Sequence, residues 1–225
     1  NDMPFTDAGG NTYLNLIDPN TVGSIEVLKG PGGSLYGANT GGIVVLHTDD
    51  LPLVKQGNNT KDHRFRVQLN GGCYKTYGEQ AQWKYRSDKF SSSLSQSHSQ
   101  ADGYRANSRL RKDVLQWNAS TQLSKKDKLE WIALYADLYY QTPGGLTLVQ
   151  TEQNPRQARS IAIDQKAAIY NKTVFTGISN TYEFNHHWSN TTSLSFSHTD
   201  FENPFITNYE KRKEDNLAVR SKFIY

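Results

Sequence analysis

The stretch RFRVQLNGGC, residues 64–73, alternates apolar and polar side chains along its length. Phe65, Val67 and Leu69 fall on one face of an extended chain, whereas the arginine, glutamine and asparagine residues between them fall on the other. Because successive side chains of a strand point to opposite faces, this period of two predicts a β-strand with one apolar and one polar surface. Its length also suits a strand that crosses a membrane.

The same alternation recurs through the rest of the chain, and we expect about eight strands, the last of which includes Tyr225. It is clear at 115–123 and 188–198, and weaker at 79–87, 89–99, 128–141, 171–185 and 217–225. The run 128–141 carries apolar residues on both faces, so the pattern leaves its orientation open.

The connections between these strands alternate in length. Short polar turns are expected near 87–89, 124–128 and 185–187, and longer loops at 100–112, 142–170 and 201–216, with a brief loop near 75–78. Short turns at one end and long loops at the other are typical of a transmembrane β-barrel. In hydrocarbon every backbone N–H and C=O needs an internal partner, so strands survive there only in a closed sheet. A soluble β-sandwich shows the same alternation and remains the alternative, although its connections do not sort by length.

Aromatic residues cluster near the expected strand ends. We interpret them as girdle residues at the two membrane–water interfaces. The alternative is that they form the core of a sandwich. The set comprises Trp83, Tyr85, Trp131, Tyr139, Tyr140, Tyr182, Phe184 and Trp188.

Composition excludes several classes of protein. The chain has 225 residues, 36% of them hydrophobic, and no run near the roughly 20 apolar residues that a membrane-spanning helix needs. Aromatic residues make up 12%, too many for a disordered segment, and the single Cys excludes an internal disulfide. Residues 1–50 hold one Lys and six acids, whereas the remainder holds 24 cations and 16 acids. This asymmetry predicts two kinds of structure, joined at the polar stretch 55–62.

The first segment contains two apolar runs, 23–29 and 42–47, separated by a glycine-rich stretch. A glycine-rich loop after a strand suggests phosphate binding, but neither GxGxxG nor GxxxxGK[ST] is present. A nucleotide site is therefore not expected.

The string IEVLKGPGGSLYGANTGGIVVL, residues 25–46, resembles the plug domain of TonB-dependent outer-membrane receptors. Lys29 stands where that family often has Arg, and residues 2–10 resemble a further plug loop. DGYR at 102–105 and TPGGLT at 142–147 resemble loop regions of siderophore-type members. The matching plug positions are Ile25, Glu26, Val27, Gly30, Pro31, Leu35, Tyr36, Gly37, Gly41 and Gly42.

The resemblance implies an all-β fold, a transmembrane antiparallel β-barrel of 22 strands filled by an N-terminal plug. Twenty-two strands would need about 220 residues before any loop is counted. We therefore expect a fragment: residues 1–54 as the C-terminal part of the plug, 55–62 as a linker, and 63–225 as the first strands of the barrel. The first part of the plug and the TonB box are expected to be absent from this chain.

The resemblance also implies function. Family members import a scarce nutrient, commonly a ferric siderophore, across the bacterial outer membrane with energy supplied through TonB. We expect binding and gating rather than enzymatic catalysis, no resident cofactor, and contacts with outer-membrane lipid and lipopolysaccharide. Nucleic acid is not expected as a partner, because the cations are spread through loops. Haem, cobalamin or a glycan are alternative cargoes, and a secreted adhesin or carbohydrate-binding β-sandwich is a remoter alternative.

The candidate ligand-binding residues follow from the same resemblance. Tyr36 matches a plug apex position, and Tyr104 and Arg105 fall in a long loop. Aromatic faces with arginine and amide groups suit a bulky, oxygen-rich chelate. No metal site is expected at 186–187, since adjacent strand residues point to opposite faces. A second apex loop is expected at Gly9, Gly10, Asn11 and Tyr13.

Overall fold

The computed structural model describes residues 2–7, 9–30, 41–49 and 61–225. Strands dominate these residues and form two separate antiparallel sheets. None of the helices in the described ranges is both long and apolar enough to span a membrane.

The first sheet is a hairpin built from the two apolar runs of the first segment. Two 3₁₀ turns, Leu14–Leu16 and Pro19–Thr21, precede it. Strand β1 (Val22–Lys29) then pairs with β2 (Gly42–Thr48), with Ile25 opposite Leu46 and Val27 opposite Val44. Both predicted runs are therefore strands.

The second sheet has eight strands, as the alternation predicted. Each strand pairs with the next along the chain, so the sheet is an unbroken meander. Within the described residues, the first and last strands each have a partner on one side alone. Asp62, the last residue of the expected linker, begins the first of these strands. They are β3 (Asp62–Gly72), β4 (Thr76–Arg86), β5 (Phe90–Ala101), β6 (Leu110–Ser124), β7 (Asp127–Gln141), β8 (Ala168–Glu183), β9 (Ser189–Pro204) and β10 (Tyr209–Ile224).

The large sheet is polar inside and apolar outside. We call the face that carries Gln82, Ser95 and Gln116 the inner face, where these side chains are at most 4% exposed. Phe65 and Leu217 lie on the opposite, outer face and are 72% and 71% exposed. A soluble sandwich would bury its apolar face, whereas a barrel wall turns that face to lipid and encloses the polar one. The structure therefore supports the barrel and not the sandwich.

The orientation of β7, which the sequence left open, is decided by its neighbours. Leu134 lies opposite Gln116 of β6 and Phe175 of β8, on the inner face. Leu138 shares that face and is 2% exposed. The prediction that Tyr140 belongs to the aromatic girdle is wrong, because this residue faces inward and packs against the buried apolar cluster.

The two ends of the sheet differ in their connections. The turn end has the short connections 87–89, 125–126 and 184–188, and the loop end has 73–75, 102–109, 142–167 and 205–208. The connection 142–167 holds two short helices, α1 (Leu148–Gln153) and α2 (Ser160–Asp164).

The long loop expected at 201–216 is wrong, because β9 runs to Pro204 and β10 begins at Tyr209. The side chains of this stretch still point alternately inward and outward. Those on the outer face are ionisable, however, as are Asp200 and its cross-strand partner Lys213. An apolar–polar pattern therefore cannot show the strand here.

Candidate functional site

The N-terminal segment, residues 2–21, lies against the inner face of the large sheet. Ser193 Oγ donates to the backbone oxygen of Asp2 at 3.0 Å, and Asp2 forms an ion pair with Lys222 at 2.7 Å. Burial by itself would raise the pKa of Asp2, but the hydrogen bond and charge of Lys222 outweigh it and hold that pKa below its usual value. The first described residues of the chain are thus attached to β9 and β10.

An apolar seat on the inner face receives this segment. Met3, Phe5 and Leu16 pack there, and the Phe5 and Phe175 rings meet edge to face with centroids 5.3 Å apart. Gly177 of β8 leaves the space that Met3 occupies. The sheet side of the seat comprises Val114, Leu134, Ala136, Leu138 and Phe175.

Beside the seat, acids of the first segment meet polar and basic groups of the sheet. Asp18 is 4% exposed and accepts a hydrogen bond from Gln80 Nε2 at 3.1 Å. Asp49 forms an ion pair with the buried Lys84 at 2.5 Å. Lys112 Nζ donates to the backbone oxygen of Ile17 at 3.2 Å. The charge asymmetry of the sequence is therefore a complementarity between an acidic segment and a partly basic wall.

The predicted apex residues lie in one compact turn, residues 6–7 and 9–13, which we call the tip loop. The Asp7 N–H donates to the backbone oxygen of Asn11 at 3.0 Å, and the Asn11 N–H donates to Asp7 Oδ1 at 2.7 Å. Gly10 has a φ of +83°, a conformation that favours glycine. Gly9, Gly10 and Asn11 are exposed at the tip, so the structure presents them to solvent in a preformed arrangement.

Tyr13 connects the tip loop to the sheet. Its ring lies 5.9 Å from that of Phe201, and its hydroxyl accepts a hydrogen bond from Arg212 Nη2. Burial raises the pKa of the Tyr13 phenol, and nearby carboxylates add to the rise against the opposing charge of Arg212. The phenol therefore stays protonated at neutral pH.

Tyr104 and Arg105 lie in the connection 102–109 at the loop end. The Tyr104 ring meets Tyr74 edge to face at 5.6 Å, with the Arg156 guanidinium 5.4 Å from its centroid. Arg105 Nε donates to the backbone oxygen of Gln157 at 2.9 Å. Arg105 is thus partly engaged in holding two loops together.

The structure unites four predicted residues and leaves the others apart. Gly9, Gly10, Asn11 and Tyr13 share the tip loop, whereas Tyr104 and Arg105 belong to another loop, where they contact Tyr74 and Gln157. Tyr36 lies outside the described residues.

Residues 186–187 lie in a turn. There Asn185 Oδ1 accepts the N–H groups of His187 and Trp188 at 2.9 and 3.0 Å. Across the part of the chain that the structure describes, no group of three or more His, Cys, Asp or Glu side chains is placed to hold a metal ion.

Sequence reasoning missed two kinds of residue. Phe201 and Arg212 fall in the loop expected at 201–216, because the residues around Arg212 are charged or polar on both faces of the strand and give no apolar–polar signal. Asn107 carried no signal at all. Its amide donates to the backbone oxygens of Thr142 and Ala167 at 3.0 and 2.9 Å and so closes the base of the connection 142–167.

Residues 1–44 match the family model for the TonB-dependent receptor plug domain. The fold is similar to that of the ferric citrate transporter FecA in its unliganded form, with a TM-score of 0.63 and 15% identity over 92% of this chain and 30% of that one. It is also similar to the copper transporter OprC, with a TM-score of 0.58 and 11% identity over 98% of this chain and 42% of that one. The chain thus spans less than half the length of either structure.

Proposed function

We propose, from the premise that this chain belongs to the TonB-dependent receptors, that the whole protein imports a ferric siderophore across the bacterial outer membrane. Residues 1–54 would then belong to the plug and the strands from β3 onward to the barrel. The chain's role is to bind and to gate, and we propose no enzymatic step. TonB, outer-membrane lipid and lipopolysaccharide are the partners that this function requires.

One observation carries the proposal. The acidic N-terminal segment lies on the polar inner face of a sheet whose outer face is apolar and exposed. Apolar side chains turned outward suit lipid, and a polar inner face suits a wet lumen. Hydrogen bonds and ion pairs hold the segment there beside the apolar contacts of Met3, Phe5 and Leu16, and each polar contact can be exchanged for water when the segment moves.

The polar and aromatic groups of the tip loop and of the connection 102–109 suit an oxygen-rich cargo. The tip loop carries the exposed backbones of Gly9 and Gly10 and the Asn11 amide, which donates to the Asp7 carboxylate, beside the Tyr13 phenol. Arg105 and Tyr104 add a guanidinium and an aromatic face at the loop end. Such groups bind chelate oxygens and cover an organic scaffold. Haem, cobalamin or a glycan would use the same surfaces and remain the alternative cargoes.

Calorimetric titration of the detergent-purified protein with ferric siderophores, haem and cobalamin tests the cargo. Intrinsic fluorescence is a poor probe, since Trp83, Trp117 and Trp131 lie on the outer face and Trp188 in the turn 184–188. Binding of one ferric chelate with little response to haem and cobalamin is the expected result. Failure of every ferric chelate to bind would overturn the assignment of cargo.

A further inference from the structure

The tip loop is rigid within itself but needs an attachment to hold its direction. Its ends are closed by the Asp7 N–H, which donates to the backbone oxygen of Asn11, by the Asn11 N–H, which donates to the Asp7 carboxylate, and by the hydroxyls of Thr6 and Thr12, 2.7 Å apart. None of these bonds reaches the sheet. Tyr13 supplies that link through Phe201 and Arg212.

Arg212 is itself held on several sides. Glu210 and Glu214 lie two residues away on either side, on the same inner face of β10, and both form ion pairs with its guanidinium. The distance from Nε to Glu214 Oε1 is 2.8 Å. The Phe201 ring lies below, with its centroid 4.4 Å from the guanidinium carbon. The group is therefore fixed in place before it meets Tyr13.

In the hydrogen bond between Arg212 and Tyr13, the guanidinium donates and the phenol oxygen accepts. A guanidinium carries five N–H donors and no acceptor, so the Tyr13 oxygen accepts and its own O–H remains free to donate elsewhere. A hydroxyl that accepts a bond from a cation becomes a stronger donor, because hydrogen bonds in series polarise one another.

We infer that Arg212 is a positioning residue, which orients the tip loop through Tyr13 and turns the Tyr13 O–H into a donor for an acceptor oxygen of the ligand. The favoured ligand class is a chelate rich in acceptor oxygens. This choice of ligand rests on the proposed function, whereas the positioning of the loop does not. No covalent step is involved.

Hydrogen exchange of the purified protein tests the positioning. Arg212→Gln and Tyr13→Phe should each speed exchange at residues 7–13 by about ten- to 150-fold, the range expected for loss of one hydrogen bond to a charged group. The double variant should match Arg212→Gln, because Tyr13→Phe then has no hydrogen bond to Arg212 left to remove. Lys222→Gln is the matched control on the same strand and face. It should loosen residues 2–5 and leave the tip loop unchanged.

Additive effects of the two changes, or an equal effect of Lys222→Gln on the tip loop, would overturn the positioning role. Ferric citrate then serves as the probe for the ligand in calorimetry. Equal weakening of its Kd by Arg212→Gln and Tyr13→Phe supports the donor role. Unchanged Kd values, or no binding by the wild type, would overturn the claim that Tyr13 donates to the ligand. The claim that Arg212 positions the tip loop is tested separately by the exchange result.

Discussion

Met3 lies over Gly177 so closely that a Cβ added to that glycine would come within 2.6 Å of the methionine sulfur. Gly177 sits on the inner face of β8, two residues from Phe175, whose ring contacts Phe5. The absence of a side chain at Gly177 thus leaves the space on the inner face that Met3 fills.

Replacing Gly177 with Ala should therefore displace Met3. Because the end of the Met3 side chain is flexible, the cost should lie near the lower end for overpacking, about 1 kcal/mol, and limited proteolysis of residues 2–21 in detergent would measure the loosening. Gly71→Ala is the matched control, since a Cβ at Gly71 meets nothing within 4 Å. A second variant, Gly177→Ala with Met3→Ala, should recover protection. Equal proteolysis of the Gly177 and Gly71 variants would contradict the proposed fit.

Because Leu134 of β7 faces inward, replacing it with Ala should destabilise the protein more than the same change at an outward-facing leucine. Leu134 is 4% exposed within the apolar seat, whereas Leu115 of β6 is 47% exposed on the outer face. Leu134→Ala should destabilise the protein by about 2–5 kcal/mol through the cavity it leaves. Leu115→Ala should cost less, and thermal unfolding in detergent compares the two. The reverse order would mean that β7 presents its other face to the segment.

Attachment of the first residues should depend on pH. The pKa of Asp2 lies below its ordinary value of 3.8 in the folded protein, so the ion pair with Lys222 contributes stability above that value. The contribution is lost as pH falls through the lowered pKa. Protection factors at residues 2–5, which correct for the intrinsic slowing of amide exchange in acid, should therefore fall as pH drops through this range, and Asp2→Asn should show the same low protection at neutral pH. Protection in Asp2→Asn that still changed with pH over this range would point to another titrating group.

Asn107 should control the order of the connection 142–167. Its amide satisfies the backbone oxygens of Thr142 and Ala167, so Asn107→Ala leaves both without that donor. Faster hydrogen exchange across 142–167 is the expected result, by roughly the five- to thirtyfold that one or two hydrogen bonds supply. Asn185→Ala, which removes a turn cap at the opposite end of the sheet, is the control. No difference between the two variants within 142–167 would refute this role.

Much of the fold was readable because it depends on local pattern. Period-two alternation located all eight strands of the large sheet, since the side chains of a strand point to opposite faces whatever their neighbours are. It misjudged 201–216, where Asp200, Glu202, Lys211 and Lys213 place charge on the outer face at the loop end. A strand that extends beyond the apolar part of the outer face keeps its backbone pairing, but its sequence no longer alternates between apolar and polar residues.

The candidate site was only partly readable. The tip loop was found from a resemblance at residues 2–10, but its contact with Arg212 joins positions 199 residues apart. Asn107 likewise acts on a loop that begins 35 residues later. Contacts at such separations arise from the curvature and register of the sheet, which a single sequence does not display.

The sequence by itself determined a sheet with one apolar and one polar face, and an acidic, glycine-rich segment to accompany it. Both are properties of residue order and composition. Tertiary structure alone decided which face β7 turns inward, which cations meet Asp2 and Asp49, and that Tyr13 is held by Arg212. The physical reason is that the order of polar and apolar residues along a strand distinguishes its two faces. Which distant side chains each face contacts depends on how the strands and the N-terminal segment pack together.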